Sequence, residues 1–555
     1  MSNLLLYVLF FFISLIHSSF LNYFGFDFNS LVNGNFEFTK IIFFDIISSL
    51  IIISFLVEKY LKKDRIKVYY PIILIFIIII SFISTFFSIS SFISFFGNTN
   101  KAHGLVFAIN LVGIFIILSN KNKNELNKFL KVFVLSLFIV FILGIKEFYL
   151  PSLNYQETIN KAVSSFGNNQ FLALSIILII PLFFKKYKSK YNFLVLFFLL
   201  FVLILTKSLI GISIFLSYLC FKFLGKKKGL LFSFLGFLLG SLVVFFYFPE
   251  KLHSLFSRFY IWQNVLNLYI SSFKNILFGY GFETLDLIFS KEKNPYLYIF
   301  ENYGFIADRS HNLWLDILYS TGILGFSLAL YITLKILKIS KNTYYYDIFL
   351  LFFIFIFFNF ASVVHYLFLL IILALFLKKN DLKIDKSKYK INIFYSIFII
   401  FSIFSIIYST KFFIAEVYYK KGNLSKSIES FNYPEYYFEV GSYNKGLKYY
   451  NNFIPLDYYK NLIPKDLNNL ITNCENFVNS YPIAENYLWC GEILERENYK
   501  KESLVFYKNG LSKLPDLRNN KSIYYNNFFV KYTISGNRFF NEKYGDLRRI
   551  INLRK

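Results

Sequence analysis

Three cysteines in 555 residues, Cys220, Cys474 and Cys490, supply neither a metal-ligand spacing nor a disulfide framework. HExxH, Walker, GxSxG and paired-cysteine motifs are absent, so zinc proteolysis and ATP hydrolysis have no support, and no cofactor is expected. The N-terminus lacks a basic n-region and a small-residue cleavage site before Phe20, so residues 4–21 read as a retained helix rather than a signal peptide. Apolar residues, by contrast, are abundant: 56% of the chain is hydrophobic and 22% aromatic, more than a soluble domain needs. They cluster in uncharged runs such as 71–87 and 193–205, which with their flanks reach the roughly 20 residues that cross a bilayer core as helix.

Thirteen such segments are expected as transmembrane helices: 4–21, 41–57, 69–91, 104–119, 129–148, 169–184, 191–206, 209–224, 229–248, 313–334, 346–360, 362–377 and 391–410. Alternate connections are dense in lysine, at Lys59 to Lys67, Lys121 to Lys128, Lys185 to Lys190, Lys222 to Lys228, Lys335 to Lys341 and Lys378 to Lys390. The intervening short ones hold only Lys40, Lys101, Lys161 and Lys207. Short cytoplasmic loops carry the excess of positive charge, so the N-terminus is expected inside and the C-terminus outside. Much of the net charge of +26 is then topological anchoring beside anionic lipid and needs no nucleic acid.

The expected fold is all-α, a polytopic transmembrane bundle of about thirteen helices with an outer loop between the ninth and tenth. Its regions are 1–248, holding nine helices; the outer loop, 249–312; four more helices, 313–410; and an outer, soluble helical tail, 411–555. Within the tail, 484–515 resembles a tetratricopeptide repeat, with Gly491, Ser503, Tyr507, Gly510 and Pro515 at the eighth, twentieth, twenty-fourth, twenty-seventh and thirty-second positions. A generic helical hairpin reads equally well, because small residues let two helices pack closely.

Ionisable groups cluster in the outer loop. On helical spacing Phe259, Trp262, Leu266 and Tyr269 share one face and Gln263, Asn264 and Asn267 the other, the pattern of a helix in the membrane interface. Arg258, one turn before Trp262, can stack on the indole, reach a phosphate with two parallel hydrogen bonds, or simply snorkel. Gly279 and Gly281, with Glu283 following, permit a tight turn close to a ligand, without the flanking elements of a dinucleotide fold. His311 is expected in the first turn of the tenth helix, where the dipole favours neutral imidazole and free N–H groups suit an anion, with Arg309 adding charge; the bland reading is a capping segment with an interfacial histidine. His17, His103, His253 and His365 read as structural.

The segment 308–326, DRSHNLWLDILYSTGILGF, is similar to the histidine–asparagine signature of the O-antigen ligase and polymerase family, here His311 and Asn312 followed by Leu315, Leu318, Gly322 and Gly325. Arg258 with Trp262, then Gly279, Gly281 and Glu283, resemble that family's arginine–tryptophan helix and glycine-rich turn in the same order. Weaker echoes are Ser165 to Asn168, and Phe96-Gly97 with His103-Gly104; the resemblance covers about 85–377. One departure is Thr206-Lys207-Ser208-Leu209, where members commonly end the turn in arginine; Lys207 supplies charge without the bidentate fork, and Lys101 likewise stands where some relatives have arginine. The resemblance implies a glycosyltransferase of the inner membrane, independent of metal, that moves a glycan from undecaprenyl diphosphate to a lipid or protein acceptor hydroxyl. In it His311 is the base, Arg258 and Arg309 grip the leaving diphosphate, and Glu283 positions acceptor or sugar. Trp262, Gly279, Gly281, Asn312, Lys207 and Lys101 line the substrate site, and the tail is free to recruit a protein partner. Ligation, polymerisation and transfer to protein remain open within this reading. A non-enzymatic flippase of lipid-linked glycans, which would place charges along the middle of many helices, and a membrane scaffold are the alternatives outside it.

Overall fold

In hydrocarbon every backbone N–H and C=O must find a partner within the protein, and the apolar runs do so as helices in the computed structural model. It describes residues 1–17, 36–64, 66–150, 161–184, 190–222, 249–301, 305–341, 343–379, 387–389, 392–442 and 469–513, with scattered positions between them. Before the loop come α1 (Ser2–Phe12), α2 (Phe36–Leu61), α3 (Pro71–Phe86), α4 (Ser91–Phe96), α5 (Leu105–Asn120), α6 (Lys123–Tyr149), α7 (Asn169–Phe184), α8 (Lys190–Leu205) and α9 (Leu209–Lys222). The loop holds α10 (Pro249–Ile270) and the short α11 (Phe273–Phe278), α12 (Leu285–Ile288) and α13 (Leu297–Phe300). After it run α14 (Leu313–Ser340), α15 (Tyr344–Phe355), α16 (Val363–Lys379) and α17 (Asn392–Lys420), then the tail helices α18 (Leu424–Ser430), α19 (Pro434–Glu439), α20 (Leu470–Ser480), α21 (Ala484–Arg496) and α22 (Lys500–Ser512).

Eleven of the thirteen apolar segments coincide largely with these helices, and of 4–21 the helix α1 covers only the part up to Phe12; 229–248 lies outside the described residues, as do 18–20, most of Lys185 to Lys190, Lys226 to Lys228, most of Lys378 to Lys390, and Pro515. Among the described residues, four helices are long and apolar enough to cross a bilayer: α2, α6, α14 and Ser396–Lys420 of α17. At about 1.5 Å per residue the 26 residues of α2 exceed the roughly 30 Å hydrocarbon core. The other apolar helices are shorter and pack among them, and the protein is membrane-embedded.

Several basic connections meet at one end of the bundle. Ser2 Oγ donates to Glu58 at 3.2 Å, Asn3 Nδ2 to Glu125 at 2.8 Å, and the Lys67 N–H to Asn120 at 2.9 Å. Asn122 caps α6 in a reciprocal box with Glu125. The otherwise helical fold also gains a two-stranded antiparallel ribbon here, Ile66–Val68 against Ser387–Tyr389, which joins the connection after α2 to the one after α16. In mid-bundle Asn110 of α5 donates to Asp45 of α2 at 2.7 Å and to Ser405 of α17 at 3.0 Å, polar contacts that fasten three helices where water is absent.

The loop closes over a small core of its own, in which Ile261, Val265 and Leu268 of α10 meet Tyr280, Leu285, Phe289 and Tyr319. This revises the expected faces of α10. Asn264 is buried and donates to the Phe289 carbonyl at 3.1 Å, and Tyr269 is buried, whereas Phe259 and Leu266 are exposed. The tail has a further core, Leu470, Cys474, Phe477, Cys490, Leu494 and Phe506. There α21 and α22 form a hairpin so close that a Cβ on Gly491 would stand 2.6 Å from the Tyr507 ring, and one on Gly510 2.8 Å from Leu488. Lys293 of the loop forms a buried ion pair with Glu485 of α21 at 2.5 Å, which ties tail to loop.

Candidate active site

The Gly279–Gly281 turn is built against a break in α14. Gly322 has φ 66° and ψ −169°, which splits that helix and frees the carbonyls of Tyr319 and Ser320 from their usual donors. The N–H groups of Tyr280 and Gly281 take them up at 2.9 and 3.0 Å. A Cβ at Gly279 would lie 2.3 Å from the Ser320 oxygen, and one at Gly322 2.2 Å from the Leu277 oxygen. Gly281 lies as close to Ser88. The close approach these glycines allow is thus to the protein itself, to backbone at Gly279 and Gly322 and to the Ser88 side chain at Gly281.

That start differs from the expected one. Asn312 is the N-cap of α14, its Oδ1 accepting from Trp314 N at 3.0 Å and Leu315 N at 3.2 Å. Leu313 N donates to the carbonyls of Ile356 and Asn359. The helix-start donors therefore have protein acceptors already, and the Asn312 side chain is spent on the cap. His311 precedes the cap instead of lying in the first turn, in the left-handed region with φ 56°. The segment is braced on both sides, since Ser310 donates to Asp316 through N and Oγ at 2.9 and 2.7 Å, while its carbonyl accepts from Trp262 Nε1 at 2.8 Å.

Around His311 the chain gathers a buried network of charges. Lys101 pairs with Asp308, and Arg309 pairs with Glu283 at 3.0 Å and also contacts His103 Nδ1. His103 Nε2 lies 3.4 Å from Glu37 Oε1, which also accepts from Val363 N at 2.7 Å. Glu283, with φ 53°, accepts from Asn98 N at 2.8 Å. The Phe360 ring underlies the group, with Lys101 Nζ 5.0 Å, the Arg309 guanidinium 5.2 Å and the His311 ring 5.6 Å from its centroid. Arg258, half-buried, donates to the Phe358 carbonyl at 2.6 Å.

The electrostatics follow from this crowding. Burial, with the nearby Arg258 charge second, drives the His311 pKa down to about 4, so its imidazole is neutral at pH 7. Burial and Arg309 lower His103 and Lys101 in the same sense. Burial alone would raise Asp308, but the Lys101 charge holds it below the ordinary aspartate value. Burial likewise opposes the Arg309 charge, yet Glu283 and its neighbours raise its pKa. Asp286 is pushed up to about 7 by burial and then by Glu435, Asp308 and Glu283.

Seven of the ten residues singled out in the sequence, Lys101, Arg258, Trp262, Glu283, Arg309, His311 and Asn312, are therefore brought together, and Gly279 and Gly281 support them from behind. Lys207 is not joined to them by any contact among the described residues. It is exposed, with Nζ 5.8 Å from the Phe148 ring, on a turn held to α7 by Asn169 Nδ2 on the Thr206 carbonyl at 2.8 Å. Glu37, Asn98, Asp286 and Asp316 escaped sequence reasoning, and His103 was read as merely structural. Glu37 gave no signal of its own, because the expected helix begins at residue 41 and leaves Glu37, like Lys40, in the connection before it, whereas α2 begins at Phe36. His365, expected to be structural, is buried, accepting from Ser362 N at 3.0 Å and stacked on Phe166.

No family model, curated protein or solved structure matches this chain. Its chemistry must be argued from the cluster itself. The cluster joins a neutral imidazole to an arginine whose side chain has a single carbonyl partner among the described residues, and it sets beside them two cations already matched by carboxylates.

Proposed function

We propose that the protein is a membrane glycosyltransferase that moves a glycan from undecaprenyl diphosphate to an acceptor hydroxyl on the outer side of the inner membrane, in the manner of an O-antigen ligase. The observation that carries the reading is the placement of His311, half-buried and neutral, within the field of Arg258. The neutral ring can take the acceptor's proton while the hydroxyl oxygen bonds to the anomeric carbon and the sugar–diphosphate bond breaks. The released diphosphate carries the charge that a half-buried arginine with one neutral partner can receive. Arg309 and Lys101 act at one remove: their carboxylate partners occupy them, and they shape the field at His311. Glu283 serves as the counter-ion of Arg309 and the anchor of Asn98.

The test is transfer in liposomes, with lipid-linked glycan from the native host and candidate acceptors, comparing wild type with His311→Ala. Transfer that needs His311 and neither nucleotide nor metal supports the enzyme, and product size separates ligation from polymerisation. Movement of the lipid-linked glycan across the liposome, unaffected by His311→Ala and without transfer, would leave a flippase in its place.

A further inference from the structure

A groove lies on the other side of α4 from the Phe282 turn. Ser94, on one face of that helix, accepts from Phe282 N of the loop at 2.8 Å, while Phe92, Phe95 and Phe96 line an open groove of about 590 Å³. Phe82 and Phe86 of α3 and Phe404 of α17 complete its walls, and Lys448 stands at its rim. Most of the lining is thus aromatic, with one ammonium group. The volume falls within the roughly 300–1,000 Å³ of small-molecule sites.

The surroundings say which solvent the groove opens on. Ile75, Ile79 and Phe82 make an exposed apolar stripe down α3, and Ile400, Ile403 and Ile407 make another down α17. Both stripes run away from the groove on helices of a membrane-embedded chain, and Phe86, 75% exposed, lies at its edge. Lys448 belongs to the tail, has no ion pair among the described residues and is exposed. Tyr449 beside it is fixed to α4: its carbonyl accepts from Ser90 Oγ at 2.9 Å, and its ring meets Phe92 edge-on at 4.8 Å. Apolar walls that share Phe82, Phe86 and Phe404 with the lipid-facing helices, together with one exposed cation contributed by the tail, match a chain with an anionic head.

We propose that this groove binds one anionic phospholipid, with an acyl chain between α3, α4 and α17 and its phosphate on Lys448, so that the lipid fastens the tail to the membrane helices. The proposal does not depend on the glycosyltransferase reading. The test uses the full chain purified in detergent and re-equilibrated with phosphatidylglycerol or phosphatidylcholine, bound lipid being counted by native mass spectrometry. Phosphatidylglycerol should be retained over phosphatidylcholine, and Lys448→Gln, an exposed change that leaves the fold alone, should cut retention about fivefold, the worth of one lysine beside anionic lipid. Ser91→Trp, which fills the groove, should abolish retention of both lipids while the protein stays monodisperse. Equal retention of both lipids by wild type, or undiminished retention in Ser91→Trp, would overturn the proposal. So would displacement of phosphatidylglycerol by an equimolar polyprenyl phosphate, which would give the groove to a carrier lipid.

Discussion

Replacing Arg258 by glutamine tests the electrostatics of the site without asking for activity. An ordinary histidine titrates near 6.5, and His311 is driven to about 4, a difference worth roughly 3 kcal/mol against imidazolium. Burial is the largest cause and the Arg258 charge the second, so the glutamine should leave the first in place and remove the second. Removing a like charge relieves the imidazolium, so His311 in Arg258→Gln should titrate above its wild-type value while staying below an ordinary histidine. The chain has five histidines, so selective isotope labelling of histidine with His311→Gln as the assignment control gives one resolvable titration for this ring. The same shift has a kinetic form. A base works only when neutral, so transfer should fall as pH drops through about 4 in wild type and at a higher pH in the variant. A wild-type His311 titrating near 6.5, or a titration that Arg258→Gln leaves unmoved, would refute the account of why the imidazole is neutral.

Asp286 carries the opposite sign. Its folded value of about 7 lies above the ordinary 3.8, so the stability it contributes is present below the ordinary value and is lost as pH rises toward and through 7. Asp286→Asn should raise the thermal midpoint at pH 8 and flatten its pH dependence, checked by unfolding in detergent from pH 5 to 8. Lys293 and Glu485 have side chains 2% and 9% exposed, so Lys293→Met should take the lysine charge from a buried carboxylate and cost up to about 3–5 kcal/mol, while Lys293→Met with Glu485→Leu should recover most of it. Limited proteolysis of the tail reads that recovery, and a double variant as labile as the single one would show the pair to be peripheral. Gly322→Ala combines a left-handed φ with a Cβ 2.2 Å from a carbonyl, and a large loss of folded, monodisperse protein should follow.

The helices were legible in the sequence because an uncharged run in lipid has one way to satisfy its backbone. Their ends were less so: Lys40, expected in a connection, lies inside α2 with Nζ donating to the Ser165 carbonyl at 2.6 Å. The break in α14 was not legible, because it needs the Tyr280 and Gly281 N–H groups from a turn some forty positions earlier to take up the freed carbonyls. Asn264 went to the wrong face for a related reason: periodicity reports polarity, whereas a buried amide with an acceptor in Phe289 is satisfied without water. Sequence could name Lys101, Glu283 and Arg309 but could not pair them or pick out Asp308, since Lys101 and Asp308 stand 207 positions apart.

That pairing changes what the cluster can bind. Counted by residue type, the surroundings of His311 offer three cations, Lys101, Arg258 and Arg309, and a phosphate could be drawn to any of them. Two are already answered, Lys101 by Asp308 and Arg309 by Glu283; displacing Glu283, whose side chain is 4% exposed, would leave it buried without its partner at a cost of several kcal/mol, whereas Asp308, 38% exposed, is screened by solvent and would be displaced at less cost. Arg258 has only the neutral Phe358 carbonyl among the described residues, so an incoming anion meets no competing carboxylate there. The two arginines should therefore fail differently when changed to lysine. Arg258→Lys should weaken donor binding, because a point charge replaces a fork, and leave the fold intact. Arg309→Lys should disturb His103 and Glu283 first, and register as lost stability before any effect on the donor.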